Sequence, residues 1–162
     1  MQIHGIIHQF PKEIKLLIIV FTCTLSIGFY SGISFVRDTS GTNPSGVEQR
    51  YLGNENDVDA TKMQFKKTKA EVITLVHNHV LSLSVIFFLL AVILATTSIN
   101  KKLKIFLMIE PFVSILLTFG GIYLMWSGVV WFKYVVVISG ILMTATFMLS
   151  TFFILKACLI KR

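Results

Sequence analysis

His77 and His79, at the head of a long apolar run, are the residues of this 162-residue chain best suited by type to bind a metal or a haem. Two positions apart on a helix is a turn of about 200 degrees. The two rings therefore point to nearly opposite faces and are badly placed to chelate one ion, for which the helical spacing is four, as in His-x-x-x-His. His77 is expected to face inward at the level of Met125, a geometry in which the two could hold a haem. His79 is expected to face the preceding polar stretch, where Glu48, Tyr51 and Glu55 offer oxygens for a small zinc or copper site. The plainer expectation is an empty site, with His77 hydrogen-bonded to a neighbouring helix and His79 anchoring the loop at headgroup level. His4 and His8 fall on the other side of the membrane and cannot join them.

Glu110 is the second candidate, because an acid inside an apolar span is costly to bury and invites a partner or a proton. Pro111 follows it and frees a backbone carbonyl about one turn earlier. Lys15, Lys104 or Lys156 is expected to reach the carboxylate near the interface, which makes an ion-paired glutamate the simpler reading and a proton relay the bolder one. Asn54-Glu55-Asn56-Asp57-Val58-Asp59 resembles half of a calcium loop but has neither the turn glycine nor the closing glutamate, and reads as a solvated acidic turn. Cys23 and Cys158 carry no disulfide or CxxC signal.

The elements that must position these groups are membrane spans. Hydrophobic residues make up 54% of the chain and charged ones 14%, with a mean hydropathy of +0.77, far more apolar matter than one soluble domain of this length can hide. Four segments reach the roughly 20 apolar residues that a crossing needs, with helices expected at 14–36, 69–98, 103–126 and 131–159 and an external loop of about 35 residues at 37–68. The fold class is thus all-α: one membrane domain over 1–162, an integral membrane four-helix bundle. The first span is too long for a signal core and is read as a retained anchor.

Lys12, Lys15, Lys101, Lys102, Lys104, Lys156, Lys161 and Arg162 crowd the short segments on one side, against Glu13 alone, whereas the external loop balances its charges. By the positive-inside rule both termini are cytoplasmic. Tyr123, Trp126, Trp131, Phe132 and Tyr134 flank Ser127–Val130, marking a tight hairpin at headgroup level. Thr68-Lys-Ala-Glu71 fits a capping box that starts the second long helix. Lys62, Lys66, Lys67 and Lys69, with no aromatic platform, form a solvated rim and not a nucleic-acid site.

Helices in lipid meet through small and polar residues, so such stripes should face the bundle interior. The expected stripes are Thr24, Gly28 and Ser31 on the first span and Thr74, His77, Leu81, Ser84, Phe88, Ala91, Ala95 and Ser98 on the second. The third contributes Glu110, Ser114, Thr118, Gly121 and Met125, and the fourth Gly140, Met143, Phe147, Ser150, Ile154 and Ala157. Gly28 and Gly32 also form a GxxxG pair able to join two chains.

The run Gly46-Val-Glu-Gln-Arg-Tyr51-Leu-Gly53-Asn54-Glu55, a lysine-rich stretch, then Glu71 and Thr74-Leu-Val-His77-Asn-His79 resembles a group of small uncharacterised bacterial inner-membrane proteins over residues 46–95. The resemblance implies that the Gly-Asn-Glu turn and the His-x-His motif form one constellation at the outer face, and it brings no activity with it. Four-helix b-type cytochromes are similar in architecture alone, since this chain lacks facing histidines on separate helices. With nearly all the chain spent on crossing the bilayer, the expectation is a non-enzymatic protein of the bacterial inner membrane, a small subunit or accessory factor of an envelope complex. Its partners would be the lipid bilayer and other membrane subunits or further copies of itself. The alternative is a redox or metal-handling protein that binds haem, copper or zinc at the His77/His79 face. A proton-coupled transporter using Glu110 is disfavoured, because no inverted repeat or broken helix pair is visible.

Overall fold

A computed structural model describes residues 5–55, 57 and 63–160. His4, Asn56, Val58, Asp59, Lys62, Lys161 and Arg162, all invoked above, lie outside the described residues. After a 3-10 turn at Ile6–Gln9 come α1 (Lys12–Ser40), α2 (Pro44–Leu52), α3 (Lys69–Ala95), α4 (Lys101–Trp126) and α5 (Phe132–Leu159). The long helices α1, α3, α4 and α5 are each apolar and long enough to cross a membrane. The protein is therefore the expected four-span helical bundle, with a short fifth helix inside the first loop.

Local chemistry sets the helix ends. The Thr68 hydroxyl accepts the Glu71 amide at 3.3 Å while the Glu71 carboxylate accepts the Thr68 amide at 2.8 Å, so the capping box forms as read from the sequence. A cap of this kind contributes about 1 kcal/mol. At the other end α3 stops at Ala95, three residues short of expectation. The Thr96 and Thr97 hydroxyls fold back on the Ile93 and Leu94 carbonyls at 2.6 and 2.7 Å, competing with the helical ladder. At 27 residues α3 spans about 40 Å, longer than a hydrocarbon core. Asn43 and Asn100 cap α2 and α4 through their side-chain oxygens. The α2 helix was not foreseen in the loop, yet its start is conventional, with Asn43 as cap and Pro44 in the first turn.

α4 lies between α3 and α5 and is the most buried of the spans. α1 leans on α5 and reaches α3 through one aromatic cluster. Phe29 stacks on Phe147 with centroids 3.9 Å apart and meets Phe87 edge-on at 6.4 Å.

Two of the four expected inward stripes are correct. Glu110, Ser114, Thr118, Gly121 and Met125 are all buried on α4, and Met143, Phe147, Ser150 and Ile154 on α5. The α1 stripe faces the wrong way, and of the α3 stripe only Ala91 is buried, with Ser84 and Ala95 half-buried. On α1 the packed residues are Ile18, Thr22, Leu25 and Phe29, while Thr24, Gly28 and Ser31 are exposed. On α3 the packed line runs through Val72, Leu75, Val76, Val80, Leu83, Phe87, Leu90 and Leu94, leaving Thr74, His77, Leu81 and Phe88 exposed. α4 has helices on two sides and needs small residues where they approach. Gly121 is such a place, where a Cβ would come within 2.9 Å of Val136. α1 and α3 sit at the edges, where large side chains fill a one-sided contact. Their outward hydroxyls bond within their own helix, as Ser31 does to Ile27 and Ser82 to Asn78, and require no neighbour.

Candidate functional site: two faces and a buried acid

The segment between α1 and α3 is laced to the ends of α4 and α5. Gly53 takes φ +82°, a left-handed value suited to glycine, and brings the backbone of residues 64–66 against itself. Asn54 N–H donates to the Gln64 carbonyl at 2.9 Å, its side-chain oxygen accepts the Gln64 N–H at 2.6 Å, and Lys67 N–H reaches the Tyr51 carbonyl at 3.0 Å. Glu55 accepts the Lys66 N–H at 3.4 Å. The Gly-Asn-Glu turn thus organises residues 64–67, the approach to α3, rather than the histidines implied by the resemblance. Trp126 Nε1–H donates to the Lys67 carbonyl at 2.7 Å, and Lys133 bridges to Glu48 at 2.6 Å. Burial pushes the Tyr51 phenol above its usual range, against the pull of neighbouring Arg50.

The imagined His77/His79 site is rearranged by this packing. His79, not His77, meets α4. Its ring stacks on Phe119 with centroids 4.8 Å apart and Nδ1 hydrogen-bonds the Leu75 carbonyl of its own helix at 2.9 Å. A carbonyl accepts only, so Nδ1 carries a proton in this contact. Both histidines are exposed, His77 about 200 degrees away around α3, whereas Met125 is wholly buried. The two do not face each other as a haem pair would. Glu48 is taken by Lys133 and Glu55 by the Lys66 amide. Among the described residues no group of three or more His, Cys, Asp or Glu side chains gathers around a common point.

Glu110 has the more unusual surroundings. At 7% exposure it sits within about 5 Å of the midpoint of α4, counting 1.5 Å per residue. One carboxylate oxygen accepts a hydrogen bond from Ser114, one turn on, and the other, Oε2, is buried without a hydrogen-bond partner. None of the expected lysines supplies one. Lys15 donates to the His8 carbonyl at 2.9 Å, Lys104 to the Ala95 carbonyl at 3.0 Å and the Thr97 carbonyl at 2.5 Å, and Lys156 lies over the Phe152 ring. One turn beyond Ser114, Thr118 shares a 2.7 Å hydrogen bond with Ser139 of α5. Inward of that link the two helices enclose a lateral groove of about 600 Å³ that opens between Ile109, Val113, Ile138 and Leu142, with Glu110 and Ser114 in its wall.

Sequence reasoning missed the Thr118–Ser139 link because Ser139 stands beside, not on, the stripe drawn through Gly140. It also missed the role of Lys104, which was read as a cytoplasmic charge and as one of three possible partners of Glu110. The signal was present: a lysine one turn into a span, behind a turn whose threonines leave carbonyls free.

An all-helical, four-span bundle with a buried midspan acid defines an integral membrane protein of the polytopic α-helical class. Within that class the chain belongs to the Aq_1264_TM family, a transmembrane helical domain, whose sequence profile it matches over residues 41–162. No curated protein and no solved structure is significantly similar to it.

Proposed function

We propose that the protein is a non-enzymatic subunit or accessory factor of a bacterial envelope complex, held in the inner membrane with both termini in the cytoplasm. The observation that carries this reading is the outer face of α1. Gly28 and Gly32 stand one turn apart on that helix, both exposed, and nothing lies within 4 Å of a Cβ added at either. Small residues on a membrane helix allow close approach of a second backbone, and among the described residues no other helix takes that place. α1 is also the least buried span and lies outside the region that matches the family.

The assembly is tested by cysteine cross-linking in native membranes, with Cys23 and Cys158 first replaced by serine. A cysteine at Gly28 should give an adduct with another polypeptide, whether a second copy or a different subunit, and Gly32→Leu should suppress it at least fivefold. Only uncross-linked monomer from Gly28→Cys would overturn the reading. Orientation is tested in the same background. The balanced charge of the loop against the lysines at Lys12, Lys15, Lys101 and Lys102 supports an external loop, so a cysteine at exposed Ser45 should react with an impermeant maleimide in intact spheroplasts. Labelling only after the membrane is broken would reverse the topology.

A further inference from the structure

The side of α3 turned away from the bundle carries a row of its own. Thr74, Asn78, Leu81, Val85, Phe88 and Val92 follow one another at alternating steps of four and three, and all six are exposed. The packed line of the helix, through Val80, Phe87, Leu90 and Leu94, runs down the opposite side. An outward row of apolar residues is by itself only a lipid contact. Asn78 changes that. The next residue, His79, stacks on Phe119, which lies seven residues, about 10 Å, inward of Trp126 along α4. Trp126 belongs to the aromatic belt at headgroup level, so the Asn78 carboxamide faces hydrocarbon at a depth that its short side chain cannot climb out of. Neither Asn78 nor His77 hydrogen-bonds through its side chain to another group among the described residues, whereas His79 and Ser82 do. A carboxamide left unpaired in hydrocarbon is costly, and a neighbouring helix with a matching group removes the cost.

The residue types in the row select that neighbour. A carboxamide offers a donor and an acceptor at once, so it pairs with its own image. Every copy of the chain crosses the membrane in the same direction, and a two-fold axis along the membrane normal therefore sets two α3 helices parallel, with Asn78 opposite Asn78. Parallel two-stranded coiled coils favour β-branched residues at position a and leucine at d, and a single asparagine at a fixes their register. Here Asn78, Val85 and Val92 occupy a, and Thr74, Leu81 and Phe88 occupy d. His77 and Ser82 then fall at g and e, five residues apart, the two positions that meet across such a dimer. The His77 ring of one copy can donate to the Ser82 hydroxyl oxygen of the other, whose own proton is spent on the Asn78 carbonyl at 2.7 Å. No charged residue stands in the row, so nothing in it repels a second copy.

We propose that the exposed face of α3 is the interface of a homodimer, in which the Asn78 side chains of two copies hydrogen-bond across the two-fold axis and the row from Leu81 to Val92 packs alongside. The helices would cross at the shallow left-handed angle common in membrane bundles. This contact lies on a different helix from Gly28 and Gly32 and goes beyond the assembly assigned to that face.

The experiment measures energy transfer between donor- and acceptor-labelled copies of the full-length protein in lipid vesicles, with Ser45→Cys as the labelling site and Cys23 and Cys158 replaced by serine. As the protein-to-lipid ratio rises, transfer should exceed the random-proximity level and saturate as two copies require. Asn78→Val, a change at an exposed position that leaves the packed side of α3 intact, should raise the dissociation constant about tenfold through the loss of two interhelical hydrogen bonds. Gly32→Leu, which acts on α1, should leave it unchanged. In native membranes, oxidation of Leu81→Cys should link two identical chains, and Ile141→Cys, just as exposed on α5, should not. Transfer no greater than random, or undiminished in Asn78→Val, would overturn the proposal. Loss of transfer in Gly32→Leu would move the contact to α1, and a Leu81→Cys adduct with a different polypeptide alone would give the face to another subunit.

Discussion

Gly53→Ala is expected to release the segment between α1 and α3 from the membrane bundle. The glycine combines φ +82° with extended ψ, a region that L-residues avoid, and a Cβ there would stand 2.8 Å from the Lys66 nitrogen and 2.9 Å from the Gln64 carbonyl oxygen. Both neighbours are backbone and cannot swing aside. Strain of this type costs about 1–3 kcal/mol before any clash is counted, so a loss of about 3 kcal/mol of local stability is expected. The Asn54 and Lys67 amides, which close the two backbone links, should lose amide-exchange protection by about a hundredfold. Gly140→Ala is the comparison, because nothing lies within 4 Å of its added Cβ and alanine is the better helix former by up to about 1 kcal/mol. Unchanged protection of Asn54 and Lys67 in Gly53→Ala would mean that the segment is held by Trp126 and Lys133 alone.

The second large effect is expected at Lys104, at the opposite end of the bundle. Its side chain is 8% exposed, and its ammonium donates to the carbonyls of Ala95 and Thr97, where α3 runs out of helical partners. A cation here also complements the negative end of the α3 dipole. Hydrogen bonds to charged groups are worth about 1.5–3 kcal/mol each. Lys104→Met keeps most of the buried stem and should cost about 2–3 kcal/mol from the lost bonds, read as an earlier unfolding midpoint in a detergent titration. Lys104→Ala should cost more by the packing of the stem. If Lys104→Met unfolds with native protein, the carbonyls have found water and the lysine contributes only its chain.

Four spans and the Thr68 cap were legible in the sequence because each is a local rule: apolar length, and a hydroxyl three residues ahead of an acid. The interior of α4 was legible for a related reason. A helix with neighbours on two sides must present small and polar residues where backbones converge, and Ser114, Thr118 and Gly121 do so. α1 and α3 defeated the same rule. The small residues expected to pack on α1 face outward, and the contacts of both helices are made largely by Phe29, Phe87 and Leu90, which at the sequence level are indistinguishable from lipid-facing side chains. The choice of His77 over His79 fell with that stripe. The links between Asn54 and Gln64, Trp126 and Lys67, and Glu48 and Lys133 were hidden for another reason. Each joins segments whose proximity is set by the bundle itself, and no periodicity records it.

The N-terminal turn carries a consequence for how the chain is made. Gly5 and Ile7 donate their amide protons to the carbonyls of Thr97 and Thr96, and Ile7 is wholly buried. These partners lie some ninety residues downstream, so Gly5 and Ile7 find their places only long after they are made. Contacts of such sequence separation form late because the intervening loop must first be closed. Two spans must be threaded through the bilayer and turned back before the opening residues can dock. Lys104 donates to the same Thr97 carbonyl only once a third span has begun. The short turn ahead of α1 thus acts as a fastener that closes on a finished corner, joining Gly5 and Ile7 to the turn between the second and third crossings.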